Sequence, residues 1–322
     1  MKERINRILD EMSNVLSVEQ MSTLQHSLIK NLSENNEDTS KIDNDTFLKM
    51  FIDSKRIEGC SERTLLYYSS TISVMFDEVT SNVRKVSSEE IRRYLSNYQS
   101  KRNCSKTTLD NIRRNISSFF SWLEQEEYIL KSPMKKIHKI KTTKVVKETI
   151  SDEDIERLRD NCNNDRDLCI IDLLYSTGIR VGELVNLNIE DINFEERECV
   201  VYGKGDKERK VYFDARTKIH LQNYITNRKD ANPALFVTLD NPHERIKISG
   251  VEIRLRNLGK ITNLNRIHPH KFRRSMATKA IDKGMPIEQV QKILGHSQID
   301  TTMQYAMVNQ NNVKISHRKY LA

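Results

Sequence analysis

Apolar residues recur along most of this chain at intervals of three and four, the spacing that gathers them on one face of an α-helix. In residues 5–31 they are Ile5, Ile8, Leu9, Met12, Val15 and Leu16, then Met21, Leu24, Leu28 and Ile29, which predicts a short helical leader or hairpin. The stretch KNLSENNEDTSKIDND that follows is polar, acidic and rich in Asn and Ser, and reads as a linker ending near Asp43 or Asp45. From about Thr46 to Lys131 the pattern returns in four segments: FLKMFIDSKRI, SERTLLYYSSTISVMFDEV, SSEEIRRYLSNYQSK and KTTLDNIRRNISSFFSWLEQEEYI. Each opens with Ser, Asp or Thr in a capping position, where a short oxygen-bearing side chain satisfies free amides of the first turn, and Ser88 begins a run resembling a capping box. These segments predict an all-helical domain.

Pro133 stops the last of these helices, because proline disfavours the helical conformation in the residue before it. Beyond it, MKKIHKIKTTKVVKE carries six lysines and shows no apolar periodicity that would bury it. From Thr149 onward helices alternate with a small sheet. SDEDIE opens a helix, and DLCIIDLLYSTG is a second one closed by Gly178. ECVVYGKGDKERKVYFD predicts two short strands around a Gly-Lys-Gly-Asp turn. HKFRRSMATKAIDKG, PIEQVQKILG and DTTMQYAMV are helical again, with Pro286 in a first turn, Gly295 as a stop and Asp300 as an N-cap. The expected fold class is mainly α with a small β-sheet: an all-helical domain followed by a mixed α+β domain. The expected boundaries are 1–43 for the helical leader and acidic linker, 44–132 for the helical domain, 133–148 for a basic linker and 149–322 for the mixed domain.

Length and charge sharpen this outline. A chain of 322 residues exceeds one ordinary core, and its net charge of +8 suits a polyanionic partner without proving one. The lysine segment at 133–148 then has two readings, a solvated linker or a strap along DNA phosphates, and its position between two domains favours the strap. The five cysteines, Cys60, Cys104, Cys162, Cys169 and Cys199, are odd in number and lack metal-ligand spacing, so reduced thiols in a cytosolic protein are expected. No run approaches the roughly 18–20 apolar residues of a membrane span, and the amino terminus has acids where a signal peptide has an apolar core. A soluble cytoplasmic protein with no membrane partner is expected.

Five features of the mixed domain carry candidate chemistry. Arg180 in TGIRVGELVNL follows a glycine-terminated helix and so starts the next one, where a guanidinium fork beside free amides makes an anion site; a surface salt bridge is the alternative. Lys204 lies between Gly203 and Gly205 in the hairpin turn and suits a proton donor, a phosphate contact or an ordinary exposed lysine. His270 and Arg273 in HPHKFRR are three apart and share a helical face, whereas Arg274 points elsewhere and suits an exposed or DNA-backbone role. His296 in LGHS stands just past a helix end, and Tyr305 follows Asp300 in DTTMQY; alone, one would be a cap and the other a packing residue.

In order and spacing, TGIRVGEL, GKGDKER, HPHKFRR, LGHS and TTMQYA resemble the signature boxes of the tyrosine recombinases, the phage integrase family with its Xer-like members, over nearly all of residues 149–310. By that resemblance Arg180, Lys204, His270, Arg273 and His296 are the catalytic set around the nucleophile Tyr305. KTTLDNIRRNISSFFSWLEQEEYILKSPMKKI is similar to the last helix of the family's SAM-like core-binding domain. The DNA-contact candidates are Lys106, Thr107, Arg113 and Arg114 there, Lys135, Lys136, Lys139 and Lys141 in the strap, and Arg274. Two positions depart from the family pattern: Ser132 stands where asparagine often precedes the proline, and Arg274 replaces a common histidine.

The resemblance implies a site-specific recombinase that cuts and rejoins double-stranded DNA through a 3′-phosphotyrosine, without metal, ATP or other cofactor. It also implies a homotetramer on paired sites, with accessory DNA-bending proteins as possible partners and a nucleoid location. Arginine forks would bind the phosphate, His270 would take the tyrosine proton and Lys204 would protonate the departing 5′ oxygen, the last two roles being interchangeable at this stage. Glu183 is expected to orient its neighbours, and truncating either Arg180 or Arg273 is expected to silence Tyr305 while leaving DNA binding largely intact. The tail VNQNNVKISHRKYLA reads as an exchanged segment or a frayed end, and the leader as a contact to DNA or a neighbouring subunit. A DNA-binding protein that does not cut, a type IB topoisomerase-like relaxer and a hydrolase are the competing classes; the complete residue set disfavours the first and a nucleophilic tyrosine the last.

Overall fold

The computed structural model describes residues 2–13, 15–33, 42–142, 148–203 and 208–305. The chain divides into two compact units, Met1–Lys144 and Val145–Ala322. Among the described residues no helix is long and apolar enough to cross a membrane.

In the first unit the leader forms two helices in mutual contact, α1 (Lys2–Met12) and α2 (Val18–Ser33), as the apolar spacing predicts. Four further helices, α3 (Asn44–Ile57), α4 (Glu62–Glu78), α5 (Ser88–Arg102) and α6 (Lys106–Gln125), surround one core. Each has an oxygen-bearing cap, Asp43, Ser61, Ser87 and Ser105, accepting a hydrogen bond from a first-turn amide. The capping box belongs to Ser87 with Glu90, one residue before the expected Ser88. Ser88 is taken up elsewhere, its hydroxyl donating to the carbonyl of Pro133 at 2.7 Å. The core centres on Phe51, whose ring meets Phe119 edge-on at 5.4 Å and lies 5.7 Å from Trp122.

The lysine segment has apolar anchors that its sequence was not expected to offer. Ser132 caps a 3-10 turn at Pro133–Lys136, Met134 is buried, and Ile137 and Ile140 pack against the same core as α3 to α6. The Ile140 amide donates to Asp110 Oδ1 at 3.0 Å, and Arg92 reaches the Lys136 carbonyl at 3.1 Å. Apolar groups at every third position turn inward, so Lys136, Lys139 and Lys141 are left facing solvent.

The second unit is built on α8 (Asp165–Thr177), whose Cys169, Ile171, Leu173 and Leu174 are wholly buried. Around it lie α7 (Asp152–Asp160), α9 (Val181–Asn186), α10 (Ala215–Asn227), α11 (Ile248–Ile261), α12 (Pro269–Asp282), α13 (Ile287–Leu294) and α14 (Ile299–Met303). Of these, α10 and α11 were not anticipated from the sequence. An antiparallel sheet of order β1-β2-β3 joins β1 (Ile192–Asn193), β2 (Glu198–Tyr202) and β3 (Glu208–Tyr212), with Val200 opposite Lys210. The hairpin is the predicted one, with a third short strand added at its edge.

Two glycines end helices where other residues would be strained. Gly178 closes α8 at φ +64°, and a Cβ there would lie 2.2 Å from Met276 Cε. Gly295 closes α13 at φ +63°, packed beneath the Arg209 side chain. Pro286 caps α13 from outside the helix rather than entering its first turn.

Candidate active site

Because Gly178 reverses the chain, Arg180 falls at the N-cap of α9, as the sequence implies. Its guanidinium is 42% exposed, donates to Glu183 Oε1 at 2.8 Å and reaches the carbonyl of Gly295 at 3.2 Å. Glu183 is buried and orients more than one neighbour: Oε2 accepts the Arg180 backbone amide at 2.8 Å, and both oxygens accept from Arg209, each at 2.7 Å. Burial pushes the Glu183 carboxyl up, but the Arg209 and Arg180 hydrogen bonds outweigh it and hold it below the usual carboxylate range.

Arg209 was not singled out from the sequence. Its Nε donates to the Ile293 carbonyl at 2.8 Å, so one side chain ties β3 to Glu183 and to the end of α13. Alternation along the strand was the available signal, since Arg209, Val211 and Phe213 share the inward face. A cation on a buried face requires an acid partner, which the chain supplies from Glu183.

Arg273 is 1% exposed on α12. Its Nη1 donates to the Gly178 carbonyl at 2.7 Å, and its Nη2 to the Leu294 carbonyl at 2.6 Å and to His296 Nε2 at 3.0 Å. Burial, then repulsion from Arg180, lowers its pKa to about 10, which leaves it charged at neutral pH. The guanidinium is thus a structural tie among three chain segments as well as a charge. Truncating it would leave the Gly178 and Leu294 carbonyls without this donor, a structural role beyond the chemistry expected of it.

His296 follows the Gly295 turn, and its Nδ1 lies 2.8 Å from Thr302 Oγ1. Burial, and then Arg273, Arg180, His270 and Arg209, pull its pKa down to about 4, so the ring is neutral at pH 7. His270 is exposed in the otherwise buried first turn of α12, three residues before Arg273. Tyr305 lies beyond α14 rather than within it, its amide bonded to the Thr302 carbonyl at 2.9 Å, and its ring stacks on His296 with centroids 6.1 Å apart. Gln298, not Asp300, occupies the N-cap of α14.

The described residues therefore bring Arg180, Arg273, His270, His296 and Tyr305 to one locality of the second unit. Lys204, the sixth expected member, lies outside the described residues, although Arg209 anchors the strand that leads from its turn. Among the described residues no group of His, Cys, Asp or Glu is arranged to hold a metal ion.

The DNA-contact candidates divide. Lys106 and Thr107 are exposed at the start of α6. Arg113, 13% exposed, is bound to buried Asp110, as is the more open Arg114. Lys135 pairs with Glu124. Arg274, for which an exposed or DNA-backbone role was expected, is partly buried and donates to the Glu148 carbonyl at 2.9 Å.

A helical unit followed by a mixed unit carrying this cluster is the organisation of a tyrosine recombinase, and comparison with known proteins agrees. Residues 148–312 match the Phage integrase family, and residues 47–130 match the Phage integrase N-terminal SAM-like domain. Tyrosine recombinase XerA of Pyrococcus horikoshii is 30% identical over 278 residues, covering 85% of this chain and 93% of that protein. Tyrosine recombinase XerC of Staphylococcus aureus is 30% identical over 278 residues, covering 82% and 92% respectively. Among solved structures, the Tn1549 transposon integrase in complex with a circular intermediate DNA has a TM-score of 0.71 at 19% identity, covering 86% of this chain and 99% of that one. XerH bound to a palindromic difH substrate has a TM-score of 0.68 at 19% identity, covering 99% of this chain and 95% of that one. The two structures speak for the fold. The chain belongs to the phage integrase family and is a tyrosine recombinase, an enzyme of site-specific DNA recombination.

Proposed function

We propose that Tyr305 is the nucleophile of this recombinase and that Arg180, Arg273 and His296 bind the scissile phosphate of double-stranded DNA. The observation that carries this reading is the convergence of the two arginines and the neutral His296 on one spot, with the Tyr305 ring stacked against that histidine. Attack on a phosphodiester builds negative charge on its non-bridging oxygens, and fixed donors in a partly dry site stabilise that charge; each is worth roughly 10²–10³ in rate.

In the first step the Tyr305 phenol oxygen bonds to phosphorus, the bond from phosphorus to the 5′ oxygen breaks, and a 3′-phosphotyrosine remains. Only about a thousandth of an ordinary tyrosine is ionised at neutral pH, so the proton needs an acceptor. His270 takes it, and Lys204 gives a proton to the departing 5′ oxygen. Attack by the 5′ hydroxyl of another strand reverses these transfers and rejoins the DNA with no nucleotide cofactor, because the phosphotyrosine retains the energy of the broken bond. Four protomers act on two paired duplexes in the cytoplasm, serving the movement or resolution of a DNA element.

Exposed Lys106, Thr107, Arg114, Lys136, Lys139 and Lys141 grip the duplex backbone from the first unit. Arg113 and Arg274, engaged within the protein and partly buried, are weaker contacts in this reading.

The test is covalent capture. Wild-type protein incubated with a randomised pool of nicked duplexes should yield a protein–DNA adduct enriched in one sequence, and Tyr305→Phe should yield none. An adduct of equal yield from the phenylalanine variant refutes the assignment. Enrichment of no sequence, at a stated salt concentration, favours a relaxing enzyme over a recombinase.

A further inference from the structure

His296 is held at both ring nitrogens, by Arg273 Nη2 at 3.0 Å from Nε2 and by Thr302 Oγ1 at 2.8 Å from Nδ1. A guanidinium has donors and no acceptor, so Nε2 presents its lone pair to Arg273. The single proton of the neutral ring is then on Nδ1, donated to the threonine oxygen. A non-bridging phosphate oxygen is the reverse kind of partner, since it only accepts. For His296 to bind phosphate, Nε2 has to become a donor.

A second proton on the ring is one route, and the surroundings oppose it. The ring faces Arg273 and His270 from α12, Arg180 from the N-cap of α9 and Arg209 from β3; burial and these groups together lower its pKa to about 4. Glu183, the acid of this network, is engaged by Arg180 and Arg209. Transfer of the proton from Nδ1 to Nε2 is the other route. It requires a partner at Nδ1 that accepts in one state and donates in the other. A carboxylate or a backbone carbonyl only accepts and would lock the proton on Nδ1, whereas a hydroxyl does both by turning about one bond. Thr302 is wholly buried, and its carbonyl accepts the Tyr305 amide at 2.9 Å, so the residue that holds the histidine also sets the backbone of the nucleophile.

We propose that Thr302 is a positioning residue whose hydroxyl reverses direction to let His296 change tautomer, converting it from an acceptor of Arg273 into a donor to the scissile phosphate. The inference rests on the reading of His296 as a phosphate ligand. In the change, Nδ1 loses one proton to water, Nε2 gains one from water, and the Thr302 hydrogen turns toward bare Nδ1. The same event releases an Arg273 N–H for the phosphate, so arrival of the DNA recruits two donors together.

The experiment uses the full chain with 15N-labelled histidine, in the Tyr305→Phe background to prevent cleavage, and the duplex enriched by covalent capture. The His296 ring signals are assigned by their loss in His296→Gln. The free protein should carry its ring proton on Nδ1 and the DNA complex on Nε2. A proton on Nε2 in the free protein, or protons on both nitrogens in the complex, overturns the proposal. In single-turnover adduct formation with Tyr305 present, Thr302→Val should be slower by roughly ten- to a hundredfold, and Thr302→Ser should stay within about threefold of wild type. A Thr302→Val rate equal to wild type, with His296→Gln slow, removes the role of Thr302 alone. Full activity of His296→Gln removes His296 itself from the phosphate.

Discussion

Replacing Arg209 by methionine keeps much of its volume and removes its charge, leaving buried Glu183 with Arg180 as its remaining arginine partner. Two hydrogen bonds of 2.7 Å to the carboxylate and one of 2.8 Å to the Ile293 carbonyl disappear. Breaking a buried ion pair while one charge stays behind costs about 3–5 kcal/mol. The cost depends on pH in a defined direction. In the wild type the Glu183 carboxyl is held below its ordinary value. Its contribution is therefore complete above the unfolded pKa and is lost as pH falls through the lower folded one. In the variant the lowering due to Arg209 is gone and the folded pKa rises from its wild-type position, so the penalty is greatest at neutral pH and lifts as the carboxyl takes up a proton. The stability gap between the two proteins should consequently be widest at pH 7 and narrow toward about pH 4.5. Urea denaturation followed by far-ultraviolet circular dichroism measures it. Trp122, the single tryptophan, lies in the core of the first unit, so its fluorescence follows the unfolding of that unit by itself. A loss below about 1 kcal/mol at pH 7, or a gap that holds or widens on acidification, would refute the reasoning.

Gly178→Ala should cost about 1–2 kcal/mol for the left-handed backbone and more for the clash with Met276 Cε, 2.2 Å from the new methyl. Gly59→Ala, at φ +84° with open space around it, should show the backbone cost alone, and thermal melting compares the two. Asp110→Ala removes the acceptor shared by Arg113, Arg114 and the Ile140 amide, so trypsin should cut after Lys139 or Lys141 at least about tenfold faster than in the wild type. Unchanged cleavage there would show that the apolar contacts of Met134 and Ile137 hold the strap without Asp110.

The helices of the first unit were legible because apolar spacing and oxygen-bearing caps agree, and the hairpin because alternation meets a glycine-rich turn. Other features required the third dimension. Helix α10 buries only Thr217, Leu221 and Tyr224, and α11 carries two glycines, so neither announces itself. Met134, Ile137 and Ile140 were outvoted by the lysines between them, although three inward contacts suffice to fix the strap. The catalytic candidates could be recognised from their boxes, but Arg209 lies 26 residues from its partner Glu183, a pairing that no local pattern reveals. The Thr302 hydroxyl was likewise invisible until His296 was seen between it and Arg273. Arg273 itself was legible as chemistry and illegible as architecture.

The structural duty of Arg273, beside its proposed catalytic one, bears on how lineages of this family decay. A copy freed from selection for cutting still needs its Gly178 and Leu294 carbonyls satisfied, so the arginine should outlast the activity it once served. The Tyr305 hydroxyl has no comparable claim, since phenylalanine keeps the ring and its packing beside His296. Among drifting descendants, a phenylalanine at this position with every arginine intact would, under the role proposed for Tyr305, mark a binder that has ceased to be an enzyme.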